Sequence, residues 1–279
     1  EESTSEYAGG FAFLDGATFV ASDLNVDTAR SIGGPGGAIY ATGRSALTWA
    51  GGEIKDCVLD DPSYSGGGLY LTDSCALVAS DLELDGNEGR IGGGMYLEDG
   101  STGTLTTVTF TDNIASREGG ALAVTATGEV TCTDCEFDGN TADRGGAVDV
   151  GSDATFVDSG GQYTSNEATD QDGGAIRLTT DAEIVITDAS FADNEAAQAG
   201  GAIYLYEPGD EIEITNTSFS VNSAGDGDGG AISADKDTDL TLTECTFDDN
   251  STSLGDGGAV SFDPVTSGHN LTVEFSTFE

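Results

Sequence analysis

Carboxylates are the most abundant groups in this chain that could do chemistry. The 279 residues include 51 Asp and Glu against 8 Lys and Arg, which gives a formal net charge of −43. A polysaccharide hydrolase would need two or three clustered carboxylates, and a lyase would need a Ca²⁺-binding acidic cluster with a base. At this density acidic clusters arise by chance, whereas bases are scarce. We therefore expect a non-enzymatic protein, with a polysaccharide lyase or hydrolase as the less favoured alternative.

The few basic residues do not form an obvious catalytic set. Arg90, Arg117 and Arg144 precede glycine pairs in successive repeats and would stack as one basic stripe. Acidic residues lie close to each of them in the sequence, so the pattern favours ion-paired packing over a site. His269 is the only histidine, and the sequence identifies no partner for it.

Five cysteines are an odd number, which argues against a full disulfide framework. Cys132 and Cys135 form one Cys-x-x-Cys, a weak signal for zinc because neither a second pair nor a histidine accompanies it. A local disulfide between them is the alternative. Cys57, Cys135 and Cys245 each lie two residues before a repeat landmark, in repeats that are not neighbours. We expect them to be small, buried, apolar side chains.

The charge also limits the partners. Nucleic acid and anionic membranes are poor partners for so acidic a surface, and no apolar run is long enough to span a bilayer. Acidic turns at 170–172, 226–228 and 248–249 offer oxygen ligands suited to Ca²⁺. None of them matches the EF-hand loop or the nonapeptide Ca²⁺ roll. Weakly bound Ca²⁺ is the only cofactor that we expect, and the position of a metal site stays open.

Three Asn-x-Ser/Thr sequons are compatible with glycosylation in a cell that performs it. They begin at Asn216, Asn250 and Asn270.

The elements that must position these groups come from a repeat. Ten times a Gly-Gly pair runs into a small residue and an alternating apolar segment, at intervals of 26 to 30 residues. A fixed period of this length indicates a stacked solenoid. The glycines suit tight corners with positive φ and no room for a Cβ atom between successive coils. The corner residues that we single out are Gly37, Gly120, Gly146, Gly174, Gly201, Gly230 and Gly258.

A second landmark recurs between the glycine pairs, an aromatic residue or Leu followed three residues later by Asn. Val26/Ala29 and Leu59/Pro62 take its place in two early repeats. Asn tolerates left-handed turns and can hydrogen-bond its copy in the next coil, so the pattern predicts an asparagine ladder. Its members are Asn87, Asn113, Asn140, Asn166, Asn194, Asn222 and Asn250.

Apolar residues alternate with polar ones around both landmarks, in about three short segments per repeat. Like residues at like positions imply parallel coils about 4.8 Å apart. We predict an all-β protein, a right-handed parallel β-helix of about ten coils of 26–31 residues. Residues 1–279 would form one β-helix domain, uncapped at both ends.

The paired motifs, Gly-Gly-Ala-Ile and Phe-x-x-Asn, resemble the repeats of the chlamydial polymorphic membrane proteins. The resemblance covers nearly the whole chain and implies surface display and adhesion, with no enzyme activity. It implies an extracellular or cell-surface location, although the membrane barrel of the autotransporter members is missing from this sequence.

The end repeats carry apolar residues where a solenoid needs polar caps. Phe11 and Phe13 lie in the first repeat, and Phe275 and Phe278 in the last. From Phe278 to Gly9 of a following copy is 10 residues, as from Phe191 to Gly201 within the chain. This spacing predicts head-to-tail stacking into a filament. The alternative is an adhesin passenger segment of a longer surface protein that binds a ligand through a lateral face.

Overall fold

Apolar and polar residues alternate along the short segments of this chain, and this period of two buries one face of each strand. We describe a computed structural model in which residues 4–6, 9–209, 212–236, 238–265 and 269–279 are placed. Its strands form three parallel sheets, and each strand pairs with the equivalent strand one repeat away. The predicted all-β parallel β-helix of about ten coils is confirmed. The described residues contain no helix of the length and apolarity needed to cross a membrane.

Sheet 1 follows the glycine pairs and contributes one strand to each coil. Its inward side chains are the first apolar column predicted from the sequence, as in Ile176 and Leu178. Its strands are Ala12–Asp15, Ile39–Thr42, Leu69–Leu71, Met95–Leu97, Leu122–Val124, Val148–Val150, Ile176–Leu178, Ile203–Tyr206, Ile232–Asp235 and Val260–Asp263.

Sheet 2 contributes two strand segments to each coil, separated by a left-handed turn. In the first two coils the two segments are joined into single strands of ten residues, Thr18–Asp27 and Ala46–Lys55. The other strands are Ala76–Ser80, Glu83–Asp85, Thr102–Thr106, Thr109–Thr111, Glu129–Thr133, Glu136–Asp138, Thr155–Ser159, Gln162–Thr164, Glu183–Thr187, Ser190–Ala192, Ile212–Thr215, Ser218–Ser220, Leu240–Thr243, Thr246–Asp248, Leu271–Glu274 and Thr277–Phe278.

Sheet 3 follows the asparagine position, and the expectation of three segments per coil missed it. Most of its strands have two residues with one inward side chain, such as Ala142 or Ala168, so they carry no measurable period. Its strands are Thr4–Ser5, Arg30–Ser31, Val58–Leu59, Glu88–Ile91, Ile114–Glu118, Thr141–Ala142, Glu167–Ala168, Glu195–Ala196, Ser223–Ala224 and Ser251–Thr252.

The register corrects one landmark. Leu84 pairs with Ile54 rather than with Leu59, and Ile54 pairs with Val26. Leu59 belongs to sheet 3, where it pairs with Ser31. The expectation was wrong because the search favoured large residues at a fixed distance from the glycines, whereas this coil has a longer loop before its glycine pair. Cys57 consequently lies three residues after the landmark, at the asparagine position.

The landmark residues form a continuous stack inside the β-helix. Neighbouring rings have centroids 4.4 to 5.0 Å apart and interplanar angles of 2° to 9°, a stacked geometry. Every ring except the last is buried, so the column joins seven coils into one core. Its members are Phe110, Phe137, Tyr163, Phe191, Phe219, Phe247 and Phe278.

Part of the acidity has a backbone explanation. Of the 25 non-glycine residues with positive φ among those described, 12 are Asp, and Asp tolerates the left-handed region better than most residues. Glycine often follows Asp at the same corner of the next coil: the carboxylate of Asp112 lies over Gly139, and that of Asp134 over Gly160. A stack of like charges at 4.8 Å spacing is thereby interrupted.

Candidate functional site

The two glycines of each corner have different roles. The first glycine has positive φ, as in Gly36 (+73°) and Gly173 (+71°). The second, which we singled out from the sequence, does not. A Cβ atom on Gly37, Gly120, Gly146, Gly174, Gly201 or Gly230 would instead overlap the carbonyl oxygen of the equivalent glycine in the next coil. At Gly258 the nearest atom is the Asn250 carbonyl oxygen, 3.5 Å away.

This difference predicts the effect of adding one methyl group. Gly174→Ala should lower the free energy of unfolding by about 2 kcal/mol, because the added atom forces two coils apart. Gly258→Ala is the matched control, since an ordinary contact distance awaits its methyl group. Urea unfolding of dilute protein would compare the two variants. Equal destabilisation would show that the second glycine is not selected by coil spacing.

The asparagines of the predicted ladder are in hydrogen-bond contact from coil to coil. In Asn140, Oδ1 accepts from the backbone N–H and the Nδ2 group of Asn113, both at 3.0 Å. Its own Nδ2 donates to the carbonyl of Phe110 at 2.9 Å and to Oδ1 of Asn166 at 3.0 Å. The same contacts link Asn87, Asn113, Asn140, Asn166, Asn194, Asn222 and Asn250. The ladder satisfies buried polar groups and is structural in character.

The ladder bears on the predicted glycosylation sites. Nδ2 of Asn250 donates to the Phe219 carbonyl at 2.9 Å, and its Oδ1 accepts from Asn222. An amide held this way is not available as an acceptor in the folded chain, so the structure argues against Asn250. Asn216 and Asn270 are exposed, each with its amide near one carboxylate, Asp188 and Asp239 respectively.

The predicted assembly residues differ in where they lie. Phe278 is 49% exposed and forms the last ring of the aromatic stack. Phe275 is 86% exposed at a positive-φ turn, so it lies on a lateral corner. Phe13, 56% exposed, begins an outward stack with Tyr40 on sheet 1, and Phe11 is 42% exposed. Only Phe278 continues an inward column.

The inward apolar residues of the end coils are the more important members of the two end surfaces. In the last coil Leu271 and Val273 are 37% and 43% exposed, although their equivalents Leu240 and Leu242 are buried. At the opposite end Leu14 and Phe19 pack on the core but are only partly covered. Sequence alternation had placed Leu271, Val273 and Phe19 in inward columns without assigning them to the ends.

A comparison with known protein families follows from this geometry. A model described as the right-handed β-helix region matches residues 21–159 and 149–279. The chain belongs to the right-handed β-helix family. No curated protein and no solved structure matches it. The match supplies the handedness of the coils; it does not reach the level of chlamydial repeats.

The right-handed β-helix family contains enzymes as well as non-enzymes, so the charged groups must be considered one by one. Arg144 Nη2 lies 2.6 Å from Glu118 Oε1, and Arg117 lies 4.0 Å from the same carboxylate. His269 Nδ1 lies 3.2 Å from Asp239 Oδ2. These pairings satisfy the bases through carboxylates. They agree with the ion-paired interpretation of the arginine stripe.

Asp149 and Arg177 on the outward side of sheet 1 were not recognised in the sequence. Asp149 is buried, and Arg177 Nη1 lies 2.9 Å from its Oδ2. Burial raises the pKa of Asp149 to about 6, and Arg177 opposes the shift in part. Their equivalents in the adjacent coils are Ala123 and Tyr204, so no periodic signal distinguishes this pair.

An outward aromatic stripe on the same sheet was also missed. Tyr40, Tyr70 and Tyr96 continue from Phe13 with ring centroids 5.1 to 5.4 Å apart. The hydroxyls of Tyr70 and Tyr96 donate to Glu98. Because the rings lie over one another along the β-helix axis, their faces are largely covered and they form packing rather than a platform for a ligand.

The cation-binding prediction is not supported by the positions of the acidic turns. Among the described residues, the one group of three carboxylates close enough for a shared ion is Glu53, Glu83 and Asp85, outside the predicted turns. The Lys55 ammonium contacts Asp85 and lies 3.6 Å from Glu53. This cluster is an ion pair network on the surface.

The cysteines are free thiols, and all five are buried. Cys132 and Cys135 face the interior without a disulfide between them, and burial raises the pKa of the Cys132 thiol. Cys57 is not equivalent to Cys135 and Cys245, because it occupies the asparagine column and its N–H donates to Asn87 Oδ1 at 3.1 Å. Apolar filling remains the appropriate description of these side chains.

Proposed function

We propose that this β-helix is an extracellular, non-enzymatic structural protein whose copies stack head to tail into a surface filament. The observation that supports it is the match between the two end coils. Extending the internal register places Leu271 opposite Phe19, Val273 opposite Ala21 and Phe278 opposite Val26. Every one of these pairs is apolar on apolar, as inside the β-helix.

The backbone at both ends supports the same proposal. Strands Leu271–Glu274 and Thr18–Asp27 each have a neighbour on one side only within the described residues. A second copy would supply the missing hydrogen bonds by adding a strand at each edge. Since Gly10 donates to the Gly37 carbonyl, Gly10 rather than Gly9 is the residue in register. The count across the junction from Phe278 is therefore 11, as from Phe247 to Gly258.

The charge distribution fits an open-ended polymer. The lateral surface carries most of the net charge of −43, which opposes side-by-side clumping. The same charge opposes stacking at low ionic strength, because the Debye length is about 30 Å at 0.01 M salt and about 10 Å at 0.1 M. Assembly should therefore increase with salt.

The experiment is electron microscopy with light scattering over a salt series. Ten coils span about 48 Å, and we expect rods many times longer above about 0.15 M NaCl. Val273→Asp should abolish them, because it places a charge in an inward column at the junction. Thr272→Asp is the matched control, since the adjacent side chain points outward on the same strand.

Gly258→Ala provides a second test that adds no charge. Its methyl group would meet the next copy as a methyl on Gly230 would meet Gly258, so rods should shorten although the subunit stays folded. Particles of 28 kDa at every salt and protein concentration would rule out the filament. Rods of unchanged length from both Val273→Asp and Gly258→Ala would rule out these end coils as the contact.

A further inference from the structure

One lateral surface of this acidic protein is nearly free of charge. It consists of the outward side chains of the first half of sheet 2 in six successive coils, and we call it the threonine face. These are alternate residues, beginning with the first, of the segments 18–22, 46–50, 76–80, 102–106, 129–133 and 155–159. The 18 positions hold eight Thr, three Val, three Ser, three Ala and one Glu, Glu129.

The composition of the threonine face differs from that of the chain. Charged residues make up 21% of the sequence, so an average sample of this size would contain about four. The corners beside the face do carry charge, at Asp23, Asp81 and Asp134. The loss of charge is therefore confined to the flat part of the sheet, and ordinary solubility does not explain it.

The face is a regular two-dimensional array. The five strand pairs that build it are in register without a bulge, so Thr104 lies between Val78 and Thr131. Spacings are about 4.8 Å between strands and about 6.6 Å between alternate residues along a strand. Thr is β-branched and has restricted χ1, which holds hydroxyl and methyl groups in place before any ligand arrives.

The hydroxyls of the array are free for an external partner. Thr102, Thr104 and Thr131 are exposed, and no side-chain hydrogen bond joins them to the described residues. Each offers one donor and two acceptor positions to solvent. Neighbouring methyl groups, including those of the 52% exposed Val78, separate these hydroxyls by constant distances.

The properties of the array restrict the occupant. An anionic partner is disfavoured by the acidic corners, and a second copy would bring another net charge of −43. The face measures about 24 by 13 Å, or about 300 Å², well below the roughly 800 Å² per partner of a stable protein interface. A neutral, flat and periodic surface remains, on which many weak contacts repeat in two directions.

We propose that the threonine face binds the surface of ice. Water molecules in ice are neutral, hydrogen-bonded in both directions and ordered on a lattice with spacings of the same scale as the array. Threonine hydroxyls can enter that hydrogen-bond network as donors and acceptors, and the methyl groups fit between them. Charged side chains would impose their own hydration on the nearest water, which accounts for their absence here.

The test is partition into slowly growing ice, with microscopy of ice recrystallisation as a second readout. Wild-type protein should be at least fivefold enriched in the ice fraction relative to a folded acidic protein of similar size. The double variant Thr104→Lys/Thr131→Lys should lose at least nine-tenths of that enrichment. The matched control is Ser218→Lys/Thr246→Lys, an outward pair on neighbouring strands of the same sheet beyond the array; it should behave as wild type.

Circular dichroism and thermal unfolding must first show that both double variants are folded. Absence of wild-type enrichment would overturn the proposal, and so would equal enrichment of the Thr104→Lys/Thr131→Lys variant. Retention on crystalline cellulose or chitin, without enrichment in ice, would assign the face to a neutral glycan lattice instead. A lateral dimer that this variant abolishes would assign it to a second copy.

Discussion

Asn166→Asp is expected to lower the free energy of unfolding by about 3–5 kcal/mol at pH 7, although the two side chains have the same shape. Oδ1 of Asn166 accepts from the backbone N–H and Nδ2 of Asn140 at 3.0 Å. Its Nδ2 donates to the Phe137 carbonyl at 2.9 Å and to Oδ1 of Asn194 at 3.0 Å. Asp keeps the accepting side and loses the donating side.

The cost arises from three changes at one buried position. A carboxylate oxygen would replace Nδ2 opposite two other acceptor oxygens, on Phe137 and Asn194. Both acceptors would lose their donor while buried, which costs about 1–3 kcal/mol for each unsatisfied group. The new carboxylate would have no basic partner from the ladder. Packing is unchanged, so the measurement isolates the direction of the hydrogen bonds.

Urea unfolding at pH 7 and pH 4 would test this prediction. Burial should raise the pKa of the new carboxyl in the folded protein, so the destabilisation is present above that pKa and declines as the pH falls through it. Asn25→Asp is the control, because Asn25 is exposed on sheet 2 and should change stability by less than about 0.5 kcal/mol. If the two variants lost equal stability, the ladder would contribute nothing specific.

The repeat made most of this fold predictable. A residue that recurs every 26 to 30 positions must recur at one place in a stacked coil, so the glycine corners, the asparagine ladder and the aromatic column could be aligned from the amino-acid sequence alone. Sheet 3 could not, because two residues such as Thr141 and Ala142 carry no period. Ile54 was missed because an aliphatic residue followed by Cys57 does not resemble Phe followed by Asn.

The candidate surfaces were less predictable, for different reasons. The end residues Phe275 and Phe13 are large and apolar, but composition does not tell an outward corner from an inward column. The threonine face was present in the sequence as alternate Thr, Val, Ser and Ala residues. Its meaning depends on register, since only aligned strands convert separate segments such as 102–106 and 129–133 into one array. Asp149 and Arg177 meet across coils and have no periodic equivalent.

The second large effect is expected at Asp158, a carboxylate at an apolar position of the core. Its inward equivalents in the adjacent coils are Cys132 and Ile186. Both carboxylate oxygens are buried, and neither has a partner in hydrogen-bond geometry. Burial raises the pKa of Asp158 to about 7, although the nearby Tyr163 hydroxyl and Gly161 N–H lower it in part. Those two groups lie close without completing a hydrogen bond to the side chain.

This shift makes the protein less stable as the pH rises. Between the unfolded pKa of 3.8 and the folded value of about 7, the folded state retains a proton that the unfolded state has lost. Stability therefore falls through this interval and is lowest, with respect to this group, above pH 7. At about 1.4 kcal/mol per pKa unit the total is on the order of 4 kcal/mol, a large part of the stability of an ordinary domain.

Asp158→Asn removes the titration with almost no change in volume. We expect the variant to match wild type near pH 4 and to exceed its free energy of unfolding by about 3–4 kcal/mol at pH 8. Asp153→Asn is the control, because Asp153 is exposed at a left-handed turn and should leave the pH profile as it is. Urea unfolding at intervals from pH 4 to pH 8 gives the profile for all three proteins. A wild-type profile that stays parallel to that of Asp158→Asn would mean that Asp158 titrates normally, and that water or a cation reaches its carboxylate inside the β-helix.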